Sequence, residues 1–152
     1  MLSVKDHIDY ILTVSSQRLY LPNKLKHAGL NLKALTVIFQ ATVMSHVSYA
    51  LPAWYGRLLQ ADIGRMNALF HRAHRWQLTD RTFTIEKLCE EADIKLFKCI
   101  VGNPAHLLYQ LLPAQRPTQY SLRKRGHPFL LPTLSTTYFR TTFINRLLFR
   151  SV

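Results

Sequence analysis

From position 62 to 77 the apolar residues Ile63, Met66, Leu69, Phe70, Ala73 and Trp76 recur at the spacing of one helical face. Arg65, His71, Arg72, His74 and Arg75 take the other faces, so the segment reads as an amphipathic helix with one stripe to bury. Asp62 stands at its start, where a carboxylate meets the positive end of the helix dipole. The chain around it has the same periodicity. In 6–28, Ile8, Ile11, Leu12, Leu19 and Leu25 keep a rough helical spacing, and Gly29 sits where a C-terminal cap belongs. Pro22 lacks an N–H and clashes with the preceding turn, which predicts a kink or two short helices there. Asn31 is placed to cap a helix running to about Tyr49, with Leu35, Ile38, Phe39, Thr42, Val43, His46 and Val47 inward and Pro52 ending it.

Further helices are predicted from Thr84 as a cap before Ile85, Leu88 and Cys89, and from Ile94 to about Val101, burying Leu96 or Phe97 with Ile100. A last short one opens at Asn103-Pro104 with Leu107, Leu108 and Leu111 inward. The style changes at Pro113. Residues 113–137 hold Pro113, Pro117, Pro128 and Pro132 among Ser, Thr, Gln and Arg, which suits an extended arm. Tyr138 to Arg150 returns to helical spacing. The expectation is an all-α fold: a short helical bundle over 1–112, and a basic, proline-rich arm with a terminal helix over 113–152.

Charge narrows the partners. Of 152 residues, 20 are Lys or Arg and 8 are Asp or Glu, a formal net charge of +12. All eight acids lie at or before Asp93, together with eleven of the cations; the nine remaining cations have no acid after them. Scattered cations without acids favour a polyanion, because each one placed on a phosphate releases condensed counterions. The apolar content of 48% excludes disorder over the whole chain, and Cys89 and Cys99 are too few for a disulfide scaffold. The start lacks the order of a secretory signal, and no apolar run approaches the roughly 20 residues of a span. An intracellular protein of cytoplasm or nucleus is expected, with no membrane partner and reduced, buried thiols.

Catalytic constellations are missing from the pattern. The five glycines, Gly29, Gly56, Gly64, Gly102 and Gly126, are isolated and form no phosphate loop. Glu90-Glu91 is the only adjacent carboxylate pair, and helical neighbours point about 100° apart. His71 and His74 are adjacent on a helix but have no further ligand at metal-site spacing, so they read as part of a basic face. His46 reads as a hydrogen-bonded core histidine. No catalytic, metal or cofactor residue is assigned. The positive signal is cations interleaved with aromatics, in Phe70-His71-Arg72-Ala73-His74-Arg75-Trp76 and in Tyr120-Ser121-Leu122-Arg123-Lys124-Arg125-Gly126-His127. Arg72, Arg75, Arg123, Lys124 and Arg125 are the candidate phosphate contacts and Tyr120 a candidate stacking residue, while Phe70 and Trp76 belong to the core stripe.

Taken in order, several short segments resemble the region downstream of the catalytic palm in reverse transcriptases of non-LTR (LINE-type) retrotransposons. They include His7-Ile8-Asp9-Tyr10-Ile11-Leu12, Gln17-Arg18-Leu19-Tyr20-Leu21, Leu32-Lys33-Ala34-Leu35 and Ser48-Tyr49-Ala50-Leu51-Pro52-Ala53-Trp54. Ala61-Asp62-Ile63-Gly64-Arg65, Ala68-Leu69-Phe70-His71-Arg72-Ala73 and Leu78-Thr79-Asp80-Arg81-Thr82-Phe83 follow, then Asn103-Pro104, Leu122-Arg123-Lys124-Arg125-Gly126-His127 and Phe143-Ile144-Asn145-Arg146. The resemblance implies a helical thumb with a C-terminal connection that holds template–primer, RNA or DNA, and RNA-directed DNA polymerase as the parent activity. It carries over Arg65, Arg72, Arg123, Arg125 and His127 as nucleic-acid contacts.

The family's [FY]-x-D-D metal motif has no counterpart here, so the chain is expected to be inactive alone. Mg²⁺ would belong to the absent palm, itself an expected partner; there is no signal for a homo-oligomer. Pro22 and the start at Met1 depart from an intact element and suggest a remnant reading frame from a decayed copy, or an incomplete gene model. The 17–54 stretch also looks like the N-terminal piece of an AlkB-type alkylated-DNA-repair dioxygenase/tRNA methyltransferase. That parent's His-x-Asp…His iron triad and Gly-rich methyl-donor loop are not matched, because His7-Ile8-Asp9 lacks a third ligand. A functionless helical remnant is the remaining alternative.

Overall fold

The computed structural model describes residues 4–115, 127–133 and 136–150. They form an all-α protein without a strand among the described residues; Gln115 and Phe129 make an isolated antiparallel bridge. The helices are α1 (Val4–Arg18), α2 (Tyr20–His27), α3 (Leu32–Phe39), α4 (Ser45–Ser48), α5 (Leu51–Trp54), α6 (Gln60–Arg75), α7 (Ile85–Gly102), α8 (Thr137–Thr141) and α9 (Phe143–Arg150). A π-helical turn, Gln40–Met44, joins α3 to α4. The chain divides into two compact units, Met1–Glu90 and Glu91–Val152. The division falls inside α7, whereas the composition changes at Pro113. Most of the proline-rich arm, including Arg123, Lys124 and Arg125, lies outside the described residues.

In the first unit the predicted stripes become the core. Ile8 and Ile11 of α1, Phe39, Val43 and Val47 of the α3–α4 run, and Met66, Leu69, Phe70 and Ala73 of α6 pack together with Leu78, Ile85 and Cys89. Each large side chain buried here contributes about 2 kcal/mol. That outweighs the ~1 kcal/mol cost of Gly64, a helix-interior glycine whose missing Cβ would meet open space. Pro22 falls in the first turn of α2, where its missing N–H costs nothing, and the break comes at Leu19. Asn31 Oδ1 accepts from the Ala34 N–H at 2.9 Å, and Gly29 ends α2 with φ +89°.

Other local expectations are corrected. Ala50, with φ +50°, terminates the α3–α4 run, and Pro52 instead sits in the first turn of α5. The two helices expected after Thr84 are one, α7, running unbroken through Asp93. Its first N–H, from Ile85, is capped by Asn67 Oδ1 at 2.9 Å, an acceptor brought from α6. Asn103 Oδ1 accepts from the Ala105 N–H, so Asn103-Pro104 makes a turn followed by a 3-10 turn at Tyr109–Leu111, and Leu107 and Leu111 are exposed. Cys99 is exposed while Cys89 is buried. Trp76, expected on the buried stripe, is 39% exposed, because α6 has already ended at Arg75.

Among the described residues one helical run, Leu32–Arg57, is long and apolar enough by length and composition to cross a membrane. This departs from the expectation that no apolar run approaches a span; its Leu35, Phe39, Val43, Val47 and Leu51 are buried in the protein.

In the second unit Ile100, Phe129, Leu147 and Leu148 are buried. Asp93 of α7 takes a bidentate pair from Arg146 of α9, Nε to Oδ2 and Nη2 to Oδ1, both at 2.8 Å. Phe97, His127 and Phe129 form an aromatic cluster with ring centroids 5.8–6.4 Å apart.

Candidate nucleic-acid interface

The cations of the first unit separate into those already satisfied and those left facing solvent. Arg65 belongs to the satisfied group. Its Nη2 donates to Asp9 Oδ1 at 2.6 Å and its Nη1 to Asp62 Oδ1 at 3.4 Å, and the hydrogen bond it donates to Asp9 is the main cause of its raised pKa. A guanidinium sharing two carboxylates presents little positive potential to a phosphate. Arg72 is intermediate: Nη2 donates to Ser16 Oγ at 2.8 Å, and its guanidinium lies 5.6 Å from the centroid of Trp76. Arg75, His71 and His74 are exposed. Arg75 makes no ion pair among the described residues.

The structure then adds residues that sequence reasoning missed. Lys24, Lys26 and His27 form the basic last turn of α2, as Arg72, His74 and Arg75 form that of α6. Lys26 Nζ donates to the Trp76 carbonyl at 2.8 Å, which ties the two basic helix ends together. Lys24 lies 5.3 Å from the ring centroid of exposed Tyr20. Lys24 and Lys33 are both exposed. The available signal was in the sequence: from Tyr10 to Ala61 there are five cations, Arg18, Lys24, Lys26, Lys33 and Arg57, and no acid. Each helix C-terminus carries about half a negative charge, which stabilises these cations and offsets part of their field. Four Lys/Arg at two such ends still leave a net positive surface.

A groove of about 460 Å³ opens beside this end, lined by Lys26, Leu30, Leu32, Leu35, His74, Gln77, Thr79 and Asp80. Thr36 Oγ1 fixes its wall by accepting from the Asp80 N–H at 3.2 Å while donating to the Leu32 carbonyl. A second groove, of about 500 Å³, is lined by Asp9, Leu12, Thr13, Ser16, Gln17 and Arg65, whose charges pair with one another.

His127 does not belong to an interface. It is 7% exposed; its Nε2 lies 2.8 Å from the Leu148 carbonyl and its Nδ1 accepts from the Phe129 N–H at 3.2 Å. Since a carbonyl only accepts, Nε2 carries the proton and both ring nitrogens are used within the fold. His46 is also corrected: its Nε2 is buried without a hydrogen-bond partner, its ring meets Tyr10 edge-on, and burial, Arg18 and His7 lower its pKa. Among the described residues no group of three or more His, Cys, Asp or Glu is arranged to hold a metal ion. Arg123, Lys124, Arg125 and Tyr120 lie outside the described residues. Compared with known proteins, the chain matches no family model, no curated protein and no solved structure.

Proposed function

We propose that the protein binds nucleic acid through its phosphate backbone, as a thumb-like, non-catalytic piece of a retrotransposon reverse transcriptase. The parent activity would be RNA-directed DNA polymerisation, the partners RNA or DNA template–primer and the palm, and the location intracellular. The observation that carries the binding reading is the joined basic end of α2 and α6, where Lys24 and Arg75 are exposed and Lys26 ties the helix ends together; Lys33, in the first turn of α3, is exposed as well. Exposed cations of this kind gain affinity by releasing counterions from phosphates, without reading base sequence. The acid-free stretch holding Arg123, Lys124 and Arg125 supports the same reading from the sequence side.

Arg65 and His127 are withdrawn from the proposed contacts, the first because it is neutralised by Asp9 and Asp62, the second because it is buried. The proposed set is Arg72, Arg75, Lys24, Lys26 and Lys33 in the first unit, with Arg123, Lys124 and Arg125 on the arm. A binding titration against duplex and single-stranded oligonucleotides over a range of salt tests it. Affinity that falls linearly on a log–log plot supports the proposal; no binding at low salt overturns it.

A further inference from the structure

Gln77 adopts φ +56° immediately after the Trp76 cap of α6, the left-handed position at which helices favour glycine. An L-residue with a long side chain is disfavoured there. The backbone gains nothing from the choice: the Gln77 N–H bonds to the His74 carbonyl and the Leu78 N–H to the Ala73 carbonyl, bonds that glycine would make equally well. What glutamine adds is a carboxamide-bearing side chain at a residue that lines the groove with Lys26, Leu30, Leu32, Leu35, His74, Thr79 and Asp80.

The groove combines three kinds of surface. Leu30 and Leu32 are 37% and 43% exposed, an apolar wall open to a planar ligand. Gln77 offers a donor and an acceptor together, and Asp80 an acceptor, the groups that pair with the edge of an unstacked base. Lys26 and His74 line the same groove, with Arg75 beside His74 in the last turn of α6. The positive charge of Lys26 and Arg75 complements the phosphate that an unpaired nucleotide brings with it. A free apolar ligand would have no use for the cations, and a bare phosphate none for the leucines.

We infer that this groove receives an unpaired nucleotide of a single-stranded nucleic-acid segment, and that Gln77 is kept in a disfavoured conformation because its carboxamide contacts the base edge. The inference rests on the nucleic-acid reading and deepens it from backbone tracking to recognition of a strand end or gap.

The test uses the full chain and a labelled RNA–DNA hybrid duplex, either blunt or carrying a short single-stranded extension. Hydrogen bonds and apolar burial of one base together predict a preference for the extended duplex of about tenfold. Gln77→Gly should bring that preference to within about twofold of parity while raising the Tm by about 4 °C, since glycine relieves the backbone. Leu30→Glu, at a partly exposed site, should also abolish the preference through charge repulsion and loss of the apolar wall. Equal binding of the two duplexes by the unsubstituted chain, or a preference that both substitutions leave intact, overturns the groove inference while backbone binding stands. Binding to neither duplex at low salt overturns both.

Discussion

Arg146 and Asp93 make the sharpest stability prediction, because their burial is unequal. The Asp93 side chain is 1% exposed and that of Arg146 16%. Arg146 also donates from Nη1 to the Thr141 carbonyl at 3.0 Å. Arg146→Ala removes the bidentate partner of a buried carboxylate, at a cost of about 3–5 kcal/mol. Asp93→Ala leaves a guanidinium whose exposed fraction can rehydrate, so its cost is smaller, about 1–3 kcal/mol. Replacing both, Asp93→Leu with Arg146→Met, removes the desolvation penalty together with the attraction and is expected to fall within about 1 kcal/mol of the unsubstituted chain. Both tryptophans, Trp54 and Trp76, lie in the first unit. Urea unfolding followed by far-ultraviolet circular dichroism, which sees α7 and α9, is therefore the suitable assay. Equal losses below about 1 kcal/mol for the two single substitutions would refute the claim that this pair anchors α9 to α7.

Two further predictions concern the histidines. His127→Ala removes a donor to Leu148 and an acceptor from Phe129, so it should lower stability by about 1–3 kcal/mol. It should leave the salt dependence of nucleic-acid binding unchanged; a reduced slope would return His127 to the interface. His46 has a folded pKa lowered from its ordinary 6.5, first by burial and then by Arg18 and His7, so the unfolded chain binds the proton more readily. Stability is then flat above about pH 6.5 and falls as pH drops below that value. His46→Gln should flatten that fall, and proton-NMR titration of the His46 ring should show a midpoint below 6.5; a midpoint above it contradicts the assignment.

Much of the fold could be read along the chain, and the failures share a cause. The α6 stripe from Met66 to Ala73, the Asn31 cap and the Gly29 terminator depend on neighbours within a few residues, and each is found where periodicity and capping chemistry put it. The break expected before Ile94 is absent: α7 runs through Asp93, whose carboxylate takes a bidentate pair from Arg146, 53 residues away. His127 follows three cations in sequence and so resembles a basic motif, yet its ring nitrogens are used by Leu148 and Phe129. Asn67 carries no sequence sign that it caps α7. For the interface, local reading found the cations of α6. It missed Lys24, Lys26 and Lys33, although the acid-free stretch from Tyr10 to Ala61 holds them; that the basic ends of α2 and α6 are joined shows only in the Lys26–Trp76 bond. Arg65 was over-read: its pairing with Asp62 was visible at helical spacing, but the short bond to Asp9 was not.

The central claim is that exposed cations of the α2–α6 end engage phosphates, and the salt slope of binding measures it directly. For duplex DNA each neutralised phosphate contributes about 0.9 to the slope of log affinity against log salt. Combining Lys24→Ala, Lys33→Ala and Arg75→Ala should reduce the slope by up to about three, and replacing Arg123, Lys124 and Arg125 together by a similar amount. Arg65→Ala, which removes a cation already shared by two carboxylates, should change it little. A slope unaltered by the first substitution set, with binding intact, would contradict the assignment of this surface.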